Sequence, residues 1–351
     1  MPISRPDLTQ VDPSVRAYIE SLEAELRRRR ETKPAPELEL LPEPPEPGEP
    51  PTTINVITLT AGGIGKRTPR HLYTRQRRGG MGVFDLETNE EDPPAILVSA
   101  DESQSLLLFT DQGRVFRLPV HSLPETPVHA RGQLITERLH LLPDERLVTA
   151  LPDLAKGSVA LVSPRGSVRC LRHHVFGEYM KPGTLVFDVH HLGPLVHACW
   201  TPGDGDLFIA TRQGKAIRFS EKLVAPQGGP GIRCEGDDQV VAVAAVYPDS
   251  HLFLACADGK GTIRQMTSGG STGGFMPNKS AGGGGKIAMH ASALVSAFPV
   301  NENADIFMIS RLSKMIRFRA VEVPPKEGVV QGVDCMSLRA DEVTAACWSA
   351  W

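Results

Sequence analysis

The sequence predicts an all-β ring of six blades, set behind a short N-terminal helix and a linker. Three observations predict it. A hairpin pattern recurs six times between Ile54 and Trp348. The recurrences are spaced by roughly 40–50 residues, the length of a four-stranded blade. A Pro- and Glu-rich run then separates them from an amphipathic stretch at the N-terminus.

That stretch reads as a helix within residues 1–32. Asp12 suits the N-cap and Pro13 the first helical position. Val15, Tyr18, Ile19, Leu22 and Leu26 recur at helical spacing. Arg27 to Arg30 close the helix, where cations complement its dipole. A helix this short reads as a solvated helix or tail; its functional alternative is docking or dimerisation. Residues 33–51 are expected to be an extended, disordered linker.

The repeats fill residues 52–351. Four share one pattern: Leu106 to Arg117, Val159 to Arg169, Leu207 to Arg218 and Ile306 to Arg317 each hold an apolar run, a turn and a basic outgoing strand. Leu252 to Gly259, resuming at Thr262-Ile263-Arg264, is a fifth copy. Ile54 to Thr60 opens a sixth, with Gly65-Lys66-Arg67 expected in its turn. Glycine at a hairpin tip supplies positive φ. A second glycine, at Gly82, Gly132, Gly183, Gly231, Gly285 or Gly332, then introduces another short strand. An apolar strand ends each unit. The blades are expected at about 54–100, 104–151, 157–200, 205–246, 251–299 and 305–349. One blade cannot bury its own faces, so stacking must continue until the ring closes. The strand after Gly82 and those near Cys347 are therefore expected to be neighbours.

The heptad Gln76-Arg77-Arg78-Gly79-Gly80-Met81-Gly82 is the most specific motif. Arginine forks match phosphate oxygens bidentately, and glycines allow close backbone approach. With Phe109-Thr110-Asp111-Gln112-Gly113, Leu118, Leu123-Pro124-Glu125 and Ala130-Arg131-Gly132, the heptad resembles the C-terminal β-pinwheel of DNA gyrase A and its topoisomerase IV counterpart. That family has lysine where this chain has Met81. The resemblance covers about residues 52–351 and implies a six-bladed β-pinwheel that binds and bends duplex DNA along its edge, without reading bases. It implies DNA contacts from Lys66, Arg67, Arg70, Arg75, Gln76, Arg77, Arg78, Gly79, Gly80, Gly82 and Arg131. It also implies a type II topoisomerase or another protein as a partner through the N-terminal helix, or an independent role in DNA architecture. The family's catalytic core, with its nucleophilic tyrosine, has no counterpart expected here. Tyr18 lies outside the repeats with no catalytic partner nearby, so no enzyme activity is expected.

Charge supports a second reading. Residues 52–351 hold 31 Lys+Arg against 30 Asp+Glu, whereas a wrapping surface should be basic. Residues 66–78 carry six cations and no acid. A neutral ring with a docking helix also suits a protein-interaction scaffold that has lost wrapping. The histidines at 173, 174, 190, 191 and 197 are expected to be exposed or at strand edges rather than metal ligands, since neighbours on a strand face opposite ways. Gly269 to Lys286 lacks the pattern of a nucleotide-binding loop and reads as a blade-edge loop. Neither a metal nor a cofactor is expected. The six cysteines show no Cys-x-x-Cys spacing, and no run of eighteen apolar residues occurs. A reduced cytoplasm without membrane attachment is expected.

Overall fold

A computed structural model describes residues 11–31, 48–247, 250–266 and 274–350. It separates into two compact units, Met1–Pro47 and Gly48–Trp351.

In the first unit, one helix, α1, runs Pro13–Glu31. Asp12 caps it as the sequence predicts. Its carboxylate accepts from the Ser14 N–H (2.9 Å) and hydroxyl (2.5 Å). Those bonds hold its acidity below the usual carboxylate range. Most of residues 33–51, expected to be linker, lie outside the described residues.

The second unit contains six blade sheets. In the first, Ile54–Thr60 and Ile64–Pro69 form an antiparallel hairpin, and Pro94–Asp101 pairs on the other side of Ile54–Thr60. The hairpin turn lies at Ala61-Gly62-Gly63, with Gly63 at φ +89°. Gly65, Lys66 and Arg67 therefore sit in the outgoing strand, not in the turn. The tip glycines Gly113, Gly166, Gly214 and Gly259 also have positive φ, while Ser313 takes this role in the sixth blade.

The short strand that follows each second glycine, or in the fourth repeat precedes Gly231, does not pair within its own unit. Gln133–Leu134, from the second repeat, completes the first sheet. Thr184–Leu185 completes the second, Gly229–Pro230 the third and Lys286–Ile287 the fourth. The fifth receives Val333–Asp334, with Pro325–Lys326 alongside in parallel. Val83–Phe84, from the first repeat, pairs with Lys314 and Met315 and completes the sixth. That sheet also holds Val343–Ser349 and hence Cys347. Each blade is thus finished by the next, and the first finishes the last.

This exchange places the core between blades. Ile57 and Leu59 pack with Leu106, Leu108 and Phe116 of the next unit. Val56 and Leu97 of the first unit share a cluster with Phe307, Ile309 and Met315 of the sixth. Burial of these apolar faces, worth about 25 cal/mol per Å², becomes available only on stacking. In every sheet the strand opposite the exchanged one is innermost and borders a central channel.

Candidate nucleic-acid interface

The heptad sits where the first repeat crosses to the sixth, and most of its polar groups serve that crossing. The Gln76 N–H donates to the Arg317 carbonyl (2.8 Å), and the Gln76 amide oxygen accepts from the Gly82 N–H (3.2 Å). The Gly79 N–H donates to the Cys335 carbonyl (2.7 Å), and the Gly80 carbonyl accepts from the Ser337 N–H (2.9 Å). Gly82 has φ +72°, and a Cβ there would lie 2.7 Å from the Met315 carbonyl oxygen. Glycine is required because the exchanged strand must enter against Met315 at that distance. Arg78 donates from its backbone to the Glu322 carboxylate and from its side chain to the Glu322 and Asp334 carbonyls. Arg75 forks onto the fully buried Asp305 at 3.0 and 3.2 Å.

The cations upstream lie deeper still. Lys66 is fully buried and pairs with Asp85 at 2.7 Å. It also donates to the Pro127 and Val128 carbonyls. Asp85 accepts from the Thr58 hydroxyl (2.7 Å) and the Tyr73 hydroxyl (2.5 Å). Burial lowers the Lys66 pKa, and Asp85 offsets this only in part. Burial also pushes the Tyr73 phenol well up, aided by the Asp85 charge, so Tyr73 remains a donor. Arg67 donates to the Leu123 carbonyl and faces Glu102 and Glu125. Arg70 donates to Ser349 (2.7 Å) and to the Ala350 carbonyl, and pairs with Glu49 at 2.5 Å. Glu49 also reaches Arg317 at 2.6 Å. Burial raises the Glu49 pKa, but the two arginines outweigh it and hold the group ionised. Lys66, Arg67 and Arg70 thus stabilise the interior rather than the surface. Glu49, read as linker, belongs to the ring's compact unit.

The periodic arginines explain why. Arg67, Arg117, Arg218 and Arg317 stand four residues beyond the tip position, each opposite an apolar residue of the incoming strand. Each donates to a backbone carbonyl of the following unit: Leu123, Phe176, Met266 and Phe275, and Arg70 and Tyr73, respectively. Three also pair with an acid on their own unit: Arg117 with Asp153, Arg218 with Asp206 and Arg317 with Asp305. Cys170 and Ile263 hold the same register in the third and fifth blades, so Arg169 and Arg264 sit one residue off it. The repeated basic residue is an inter-blade staple. Its spacing was readable in the sequence, but its carbonyl partners were not.

Many cations are exposed, and five of them lie along the outer strands. Arg77 is exposed and has no side-chain hydrogen bond or ion pair among the described residues. Arg131, with 89 % of its side chain exposed, pairs with Glu87 at 2.8 Å. Lys181 and Lys326 are exposed and likewise unpaired among the described residues, and Lys286 lies over the Phe275 ring. All five lie in or beside the segments that form the exchanged outer strands. Sequence reasoning singled out Arg77 and Arg131, named Lys286 only as a loop lysine, and missed Lys181 and Lys326. The glycines at 183 and 332 could have marked those two turns. Met81 is 52 % exposed where the resembling family carries its lysine.

The other candidates are structural in placement. His190 and His191 lie on a one-turn helix capped by Asp188, and His197 faces the central channel. Among the described residues no three His, Cys, Asp or Glu side chains are grouped to hold a metal, and no helix is long and apolar enough to cross a membrane. Part of Gly269 to Lys286 lies outside the described residues.

A family described as "DNA gyrase C-terminal domain, beta-propeller" matches residues 55–92, 104–152 and 205–246. The chain is 27% identical over 297 residues to the DNA gyrase A protein of Mycobacterium leprae (strain TN), covering 81% of this chain and 23% of that protein. It is 28% identical over 299 residues to the DNA gyrase A protein of Escherichia coli (strain K12), covering 82% and 33%. The chain therefore spans about a quarter to a third of the length of these relatives. Among solved structures, a DNA gyrase A C-terminal domain aligns with a TM-score of 0.71 at 20% identity, covering 84% of this chain and 98% of that one. The C-terminal domain of a DNA topoisomerase IV aligns at 0.58 and 19% identity, covering 85% and 93%.

Proposed function

We propose that this β-pinwheel of the gyrase A C-terminal kind binds duplex DNA without catalysis, laying the backbone along its outer strands and bending it. The observation that carries this reading is the placement of Arg77, Arg131, Lys181, Lys286 and Lys326. They recur on the segments that form the outer strands while the inner arginines hold the ring together. Cations in a row without base-reading side chains grip phosphates and leave sequence unread. Arg75 and Arg78 contribute through the geometry they impose on Arg77, since their own donors are engaged. The near-neutral charge implies few phosphate contacts and a modest affinity. A type II topoisomerase in the cytoplasm is the proposed setting.

A second reading has its own observation. Phe84, Leu134, Leu185 and Ile287, one from each of four outer strands, are exposed. An apolar row of this kind suits a protein partner. A mobility-shift titration at two salt concentrations separates the two. Each phosphate contact contributes about 0.9 to the log–log salt slope, so changing Arg77 and Arg131 together to Ala should flatten it by about two. No retention of DNA at low salt, or an unchanged slope, would pass the lead to the protein partner.

A further inference from the structure

The six innermost strands surround a central cavity of about 890 Å³. Its wall is apolar in layers. Near the start of the strands stand Val148, Val196, Val241 and Val295, with Thr344. Small residues, including Ser99, Cys199, Ser296 and Ala346, line the middle. Trp200, Tyr247 and Trp348 lie at or just past the ends of their strands, at the opposite mouth. Spread over a strand length of roughly 20 Å, at about 3.4 Å per residue, that volume leaves a mean cross-section on the order of 45 Å². Such a bore is wide enough to admit an extended alkyl chain.

The wall also carries little charge. Burial lowers the pKa of His197, the one histidine in it, to about 4. Its Nδ1 accepts from the Val243 N–H of the neighbouring inner strand (3.3 Å). At the aromatic mouth, Gln104 and Asn301 supply neutral polar groups beside Asp101. Hydrogen bonds from Ser103 and Thr53 lower the Asp101 pKa and keep it ionised, so the mouth disfavours an anionic head. Pockets of this size with an apolar lining and a few polar groups at one end are typical small-molecule sites.

We propose that the central channel binds one molecule with an uncharged alkyl chain and a neutral polar head, the head seated at the Trp200–Trp348 mouth. This proposal is independent of DNA binding. The test titrates the full chain with N-phenyl-1-naphthylamine, an uncharged fluorophore whose absorption overlaps tryptophan emission, and displaces it with 1-dodecanol or dodecanoate. Saturable binding of one probe per chain is expected, with energy transfer from tryptophan. Dodecanol should displace the probe at least tenfold more effectively than dodecanoate, and Ala346→Phe, which narrows the bore, should weaken binding at least tenfold. Should Ala346→Phe lower the melting midpoint sharply, the combined Trp200→Phe and Trp348→Phe variant serves instead. It should keep probe affinity while losing at least half of the energy transfer. Unsaturable binding, equal displacement by dodecanoate, full binding by a folded Ala346→Phe protein, or unchanged energy transfer would each overturn the proposal.

Discussion

Changing Asp85 to Asn removes one charge from the junction of the first, second and sixth repeats and almost no volume. Asp85 holds Lys66 at 2.7 Å, Thr58 at 2.7 Å and Tyr73 at 2.5 Å, and its backbone N–H donates to the Ser313 carbonyl of the sixth repeat. The Ala130 N–H of the second repeat donates to the Asp85 carbonyl in turn. Lys66 and Asp85 are both fully buried, so solvent cannot replace the lost partner. Breaking a buried pair in this way costs about 3–5 kcal/mol. At about 2–3 °C per kcal/mol for a domain of this size, the melting midpoint should fall by roughly 6–15 °C. Lys66→Met should cost less, because Asp85 would retain two hydroxyl donors. The double variant, with neither charge, should regain at least about 2 kcal/mol over the sum of the single effects, since a paired apolar and neutral site is close to balanced. Thermal unfolding followed by near-ultraviolet circular dichroism measures all three. A fall below about 1 kcal/mol for Asp85→Asn, or strict additivity in the double variant, would refute the role of this pair in closing the ring.

Other expectations follow from the same geometry. Gly82→Ala puts a Cβ 2.7 Å from the Met315 carbonyl at positive φ. It should cost roughly 1–3 kcal/mol and raise hydrogen exchange at Val83, Phe84 and Met315; unchanged exchange would count against strand exchange as the closing device. A chain beginning at Gly48 should be more stable than one beginning at Thr52 by about 2–4 kcal/mol, because Arg70 and Arg317 then keep Glu49; equal midpoints would remove Glu49 from the ring. His197 has a folded pKa of about 4, below its ordinary value of about 6.5. The unfolded state therefore takes up a proton first as pH falls. Stability present above about 6.5 should decline towards pH 4 by about 1–3 kcal/mol, and His197→Gln should flatten that decline in denaturant titrations. Met81→Lys should strengthen DNA binding by about 1 kcal/mol or less, the size of an exposed charged contact, as read by mobility shift.

The repeats were legible because hairpin chemistry is local. Apolar strands, tip glycines and outgoing cations fall at fixed offsets, and each offset is enforced within about fifteen residues of chain. The exchange of strands was not legible in this way. Gln133–Leu134 or Val83–Phe84 is too short to declare a partner, and nothing in two residues says whether they pair with their own hairpin or another. The first tip was misread because Gly65 and Gly63 are both glycines near a turn, and only the register Leu59 opposite Gly65 distinguishes them. Among candidate site residues, composition marked the cations but not their depth. Lys66 alternates with Gly65 and Arg67 in a strand whose burial depends on acids and carbonyls far along the chain, at Asp85, Leu123 and Val128.

The glycine–arginine heptad bears most directly on how DNA binding and ring closure divide the cations. A closed ring of six repeats has one join that the chain itself does not cross. The heptad lies there, with Arg75 on Asp305, Arg78 on Glu322 and Asp334, and Gly82 against Met315. Most of its hydrogen bonds are therefore contacts with the sixth repeat or its incoming strand, and Arg77 alone faces outward without a partner among the described residues. A motif that reads as a phosphate grip is, in this geometry, a clasp that presents one guanidinium. Phosphate affinity at this point then depends on the clasp being shut. Weakening closure at Asp85 or Gly82 should lower DNA retention even though Asp85 is buried and the Gly82 N–H is held by Gln76, and restoring closure with the Lys66→Met and Asp85→Asn pair should restore it. Retention that tracks Arg77 but ignores the state of the join would show that the guanidinium acts from a flexible loop and that the clasp serves the fold alone.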